Sequence, residues 1–191
     1  VNEYAITKGN ITYNKDYKIN LKDIIIKNNN KVDIVKGKLN IDGINFSLNS
    51  SFIKRENFNK SWKASFSLIN NNIKILTNGN INFNNNYPDL EGNLEISSNN
   101  LGKLSNDNKF LNLLNDKFKL ISDLSLRFKN NNLLYSAYNL SISSGPFKLS
   151  GTVSGNNGIK PKVDVILSSN SIDLDSLNQS IKLLSGSLFI D

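Results

Sequence analysis

Few residues in this chain could do chemistry, and none stand in a catalytic arrangement. Asp173 and Asp175 flank Leu174 and could hold a hard cation, but such a site asks for more than two carboxylates. An acidic pair at the start of a helical stretch also complements the positive end of that helix, which explains the pair better. Gly37-Lys38 and Gly102-Lys103 lack the preceding glycine and the following Ser or Thr of a phosphate-binding loop. Gly155-Asn156-Asn157-Gly158 reads as a loop, not a dinucleotide fingerprint. The chain has no His, so a nucleophile would have to rely on Lys as its base, and Ser and Lys are too common here for a Ser–Lys dyad to stand out. With neither His nor Cys, zinc, copper, haem and iron–sulfur sites are not expected. The reading is therefore of a protein that is not an enzyme and carries no cofactor or metal.

What recurs instead is a structural unit. Pro88 to Leu104 and Pro161 to Leu177 share a proline, an alternating strand, a Ser-Ser-Asn stop and apolar residues at helical spacing. Pro88 to Pro161 is a step of 73 positions and Ser97 to Ser168 one of 71, so the difference is even and keeps each strand's faces in register. Repetition on this scale suggests stacked units, with candidate repeats at 73–115 and 138–186.

Alternation of apolar and polar residues runs through the rest. Tyr17, Ile19 and Leu21 alternate with lysines and Asn20 until Asp23 breaks the period, and Ile24-Ile25-Ile26 then suggests a bulge. Further short strands are expected at Val32, Ile34 and at Leu39, Ile41, at Ile44–Phe52, at Trp62–Leu68, at Ile73, Ile75 and then Ile81, Phe83, at Leu90–Ile96, at Phe118, Leu120 and then Leu124–Phe128, at Leu133–Tyr135 and then Tyr138, Leu140 and Ile142, and at Phe147–Val153. Asn78-Gly79 is expected as a turn or bulge inside Ile73–Phe83. Asn28–Asn30, Asn70–Asn72, Asn84–Asn86 and Asn130–Asn132 separate alternating segments and read as turns, because Asn tolerates left-handed backbone. Leu101–Leu114 and Ile172–Leu184 show helical stripes. The expectation is ten to thirteen short strands and two short helices, in one largely antiparallel, mainly β fold without a domain boundary.

The net charge is +7, yet the lysines are scattered among alternating positions and Arg55 and Arg127 are the only arginines. This reads as the solvated outer face of a sheet, with attraction to anionic lipid headgroups as the alternative. Without a basic run or an aromatic-rich binding pattern, nucleic acid is not an expected partner. No apolar run is long enough to span a bilayer as a helix. The chain starts at Val1 and ends just after the strand-like Ser187–Ile190, which reads as residues 1–191 of a longer protein.

Two short helices cannot cover this much one-sided sheet, and repetition favours a sheet curled into an extendable open groove over a barrel or sandwich. An apolar trough suits acyl chains: each CH₂ removed from water contributes ~0.8 kcal/mol. The expected lining is Phe46, Leu48, Phe66, Leu68, Ile81, Phe83, Leu94, Ile96, Leu126, Phe128, Leu140, Ile142, Leu149, Val153, Val165 and Leu167.

The run Pro88-x-Leu-x-Gly-x-Leu-x-Ile-Ser-Ser-Asn-x-Leu-x-x-Leu104 resembles the AsmA family of bacterial envelope proteins. So do Leu140 to Val153, which contains Leu149-Ser150-Gly151-Thr152-Val153, and the Pro161 strand leading to Ile172-Asp173-Leu174-Asp175-Ser176-Leu177. The likeness covers about residues 73 to 184. It implies a curled antiparallel β-taco related to bridge-like lipid-transfer proteins. It also implies a periplasmic body anchored in the inner membrane by an N-terminal helix missing here, and a role in phospholipid movement and outer-membrane biogenesis. Phospholipid, the inner membrane and outer-membrane proteins are the partners it suggests. An assembly scaffold for outer-membrane β-barrels and a structural or adhesive β-array are the alternatives.

Overall fold

The computed structural model describes residues 2–13, 17–41, 43–54, 61–83, 88–100, 117–129, 132–145, 147–158 and 160–169. They form eleven strands. These are β1 Asn2–Tyr13, β2 Tyr17–Asn28, β3 Val32–Ile41, β4 Ile44–Lys54, β5 Ser61–Ile69, β6 Ile73–Asn82, β7 Asp89–Ser98, β8 Phe118–Lys129, β9 Asn132–Ser144, β10 Phe147–Asn156 and β11 Lys162–Ser168. Every strand pairs antiparallel with the strand before it in sequence, giving one sheet in the order β1 to β11. The two outermost strands are not paired with each other, so the sheet is not closed. The two expected helices, which close the two candidate repeats, lie outside the described residues.

The strands are longer than expected, from 7 residues in β11 to 13 in β9. Their length follows from unbroken alternation. Asn78-Gly79 is not a turn: both residues lie inside β6, where Gly79 faces Gly92 of β7. A Cβ on Gly79 would stand 2.2 Å from the Glu91 carbonyl oxygen, and one on Gly92 2.2 Å from that of Asn78. The glycines therefore serve close approach of two backbones, not a reversal of the chain. Gly155 and Asn156, read as loop, complete β10.

Two of the asparagine turns have one chemistry. Asn29 Oδ1 accepts from the amides of Lys31 and Val32 at 2.9 and 2.6 Å, and Asn70 Oδ1 accepts from those of Asn72 and Ile73 at 2.8 and 2.7 Å. The side chain occupies the donors that the hairpin leaves open. Gly43, at φ 87°, turns β3 into β4.

Two bulges re-aim the strands. Asp23 has φ 52° and the β2–β3 register shifts between Lys22 and Ile25, as the broken period at Asp23 suggested. Asn139 also has φ 52°, and β9 shifts against both of its neighbours there. This second bulge separates Tyr138 from Leu140, which therefore do not share a face. Asn139 donates to Asp123 Oδ2 at 2.7 Å, and the Ser122 hydroxyl reaches the Tyr138 carbonyl at 3.1 Å. Ser122 is 1% exposed, so its bond satisfies a carbonyl that the broken ladder would leave bare.

Candidate functional site

Cross-strand register sorts the side chains onto two faces. One is apolar. Gly37, Leu48, Leu68, Ile75, Ile96, Leu120, Ile142 and Leu149 form a continuous row from β3 to β10. A parallel row carries Val35, Ser50, Phe66, Thr77, Leu94 and Ser122. Another carries Lys54, Trp62, Ile81, Leu90, Leu126, Tyr135, Gly155 and Val163. Phe46 stands opposite Leu39, Phe128 opposite Leu133, Leu140 opposite Gly151, Gly151 opposite Leu167, and Val153 opposite Val165. Phe83, just past β6, packs its ring edge-on against Trp62 at 4.9 Å. All sixteen side chains named for a groove thus share one face.

Burial on that face is graded. Ile24, Leu39, Phe46, Leu68 and Ile73 make a buried cluster across β2 to β6, and each fully buried side chain of this size contributes roughly 1.5–3 kcal/mol. Ile24, Leu39 and Ile73 of this cluster are absent from the sequence-derived lining. Further along, Leu140 is the only buried large apolar residue among the described residues, while Val163, Val165 and Leu167 of β11 are exposed.

One end of the apolar face is polar. Lys54 Nζ lies 3.0 Å from Asp33 Oδ1 and 5.6 Å from the centre of the Trp62 ring. That Asp33 oxygen is enclosed and receives no well-angled hydrogen bond, so the ammonium charge is what compensates its burial.

The opposite face is polar, and its charges are not scattered. Lys8, Lys22, Lys38, Ser47, Ile69, Lys74, Ser97, Lys119, Ser143 and Lys148 form a single register row across β1 to β10. Beside it Asn10, Asn20, Asn40 and Asn45 form a ladder, with Asn40 donating to Asn45 at 2.9 Å. Lys8, Lys22 and Lys38, with this ladder and the Asn70–Asn72 turn, line a hollow of about 800 Å³. From β5 onward the lysine row runs along the strand ends, at Lys74, Lys119 and Lys148, each the second residue of its strand. The acids lie elsewhere: Glu91, Asp123 and Asp164 belong to other rows. Glu91 pairs with Arg127, and this bond and charge hold the guanidinium above its ordinary pKa.

Sequence reading could not find the lysine row, since it exists only once ten strands are set in register. The one local trace is an apolar residue followed by Lys at the start of alternate strands: Ile73-Lys74, Phe118-Lys119 and Phe147-Lys148. Asp173 and Asp175, the candidate cation ligands, lie outside the described residues.

No protein-family model matches this chain, and neither a curated protein nor a solved structure matches it.

Proposed function

We propose that this chain is a non-enzymatic lipid-binding segment that holds or conducts phospholipid acyl chains along the apolar face of its sheet. In this reading the sheet curls into an open taco-like groove, as the AsmA-like motifs imply. The body lies in the periplasm, is anchored to the inner membrane, and supports outer-membrane biogenesis. One observation carries the reading: an apolar row passes uninterrupted through β3 to β10, and the large apolar residues beside it become more exposed toward β11. A path for acyl chains needs continuity across strands, and this row has it.

The test is lipid extraction and mass spectrometry on the natively purified chain. Copurified phospholipid is expected. Leu126→Asp is expected to lower the amount retained while circular dichroism keeps its strand signature. Protein that comes through gentle purification empty, and stays empty after incubation with phospholipid vesicles, sinks the reading.

The side of β11 away from β10, which pairs with no described strand, favours a second reading, a scaffold for outer-membrane β-barrel strands. Val163, Val165, Ile166 and Leu167 are all exposed on this strand, and a client strand could add to it by β-augmentation. Photocrosslinkers at Val163 and Val165 that capture barrel precursors, with no lipid copurifying, would select this reading.

A further inference from the structure

We propose that the lysine row is a docking rail for an anionic bilayer surface, independent of whether the opposite face carries lipid. Lys8, Lys22, Lys38, Lys74, Lys119 and Lys148 point to one side of the sheet and all are exposed. With neighbouring strands about 4.8 Å apart, the row extends roughly 43 Å. Lys8, Lys22 and Lys38 stand directly opposite one another on adjacent strands, an arrangement that repels within the protein. Of the six, only Lys119 has a carboxylate partner among the described residues, Glu95 at 3.5 Å. The repulsion is relieved by an anionic counterpart, and a layer of lipid headgroups supplies phosphates all along the row.

The neighbouring residues favour a bilayer over nucleic acid. The row contains no arginine for bidentate phosphate recognition and no aromatic ring on which a base could stack. It contains exposed Ile69, and exposed Ile25 and Ile121 lie on the adjoining row. Aliphatic side chains among lysines suit the headgroup boundary, where both can be satisfied.

The experiment is vesicle co-sedimentation of the full chain. One set of vesicles is phosphatidylcholine alone, and the other has a third of its lipid as phosphatidylglycerol. The phosphatidylglycerol vesicles are expected to bind, with binding lost at high salt. Replacing Lys22, Lys38, Lys74 and Lys119 by Gln is expected to weaken binding at least about tenfold. A control with Lys63, Lys129, Lys160 and Lys162 replaced by Gln removes the same charge away from the row and is expected to bind nearly as wild type. Equal loss in both variants overturns the proposal, because total charge and not the row would then be read. Equal binding to both vesicle types overturns it too. A single-stranded oligonucleotide that displaces the vesicles and itself depends on the row assigns the rail to nucleic acid instead. All the substituted lysines are exposed, so circular dichroism should be unchanged. Lipid copurified on the apolar face should survive in the row variant, which keeps the two readings separable.

Discussion

Strands β7 and β11 obey the same sequence grammar and have opposite fates. Each follows a proline and runs to a Ser-Ser pair, Ser97-Ser98 at the end of β7 and Ser168-Ser169 where β11 stops. β7 lies between β6 and β8, and its apolar Leu90, Leu94 and Ile96 are half-buried. Among the described residues β11 pairs only with β10, and every one of its residues is exposed, Val165 at 54% and Ile166 at 72%. The difference comes from neighbours and not from composition. An apolar side chain on a sheet is covered by the strands flanking its own, so a strand with one flank leaves half of that cover missing.

The largest effect expected from this contrast is on charge insertion. Leu94→Asp places a carboxylate in the half-buried middle of the apolar face and should destabilise by about 3 kcal/mol. Val165→Asp, on the matching position of the exposed strand, should change stability by less than about 0.5 kcal/mol. Urea denaturation of both variants measures the gap, and equal losses would show that β11 is covered in solution.

The glycines give the next contrast. Gly92→Ala would set a Cβ 2.6 Å from the Gly79 Cα, against a strand held on its other side by β5. It should cost about 2 kcal/mol. Gly151→Ala meets the Ile166 carbonyl oxygen at 1.9 Å, an even closer approach, but among the described residues no strand lies beyond β11, which can move away. It should cost about 1 kcal/mol. A reversed order in denaturation midpoints would mean that β11 is clamped.

Native-state hydrogen exchange should then show slow amides in β7 and amides in β11 that exchange by local opening. Matching protection in the two strands would break the comparison. The smallest effect is expected from the charged pairs. Arg127 with Glu91 in the middle of the sheet and Lys162 with Asp164 at its edge are both exposed. Glu91→Gln and Asp164→Asn should each leave the denaturation midpoint unmoved.

Much of the fold was legible residue by residue. The Asp23 bulge showed as a broken period, and the asparagine runs at Asn28–Asn30 and Asn70–Asn72 showed as turns. The second bulge did not show, because Tyr138, Leu140 and Ile142 keep a flawless alternation while Asn139 takes the left-handed conformation between them. Asn78-Gly79 misled in the other direction: a dipeptide that closes hairpins was used to let two backbones touch. Both errors have one cause. Local pattern reports which side chains differ, and only the partner strand decides which way they face.

By itself the sequence determined that the chain is β, antiparallel and one-sided, since period-two alternation and asparagine turns are local chemistry. It also determined that His and Cys ligands are absent. Tertiary structure alone decided that the sheet stays unclosed, that burial is concentrated in β2 to β6, and that lysines far apart in the chain fall into one row. Those properties depend on cross-strand register, which brings residues more than a hundred positions apart onto one line and has no counterpart in the linear order of the residues.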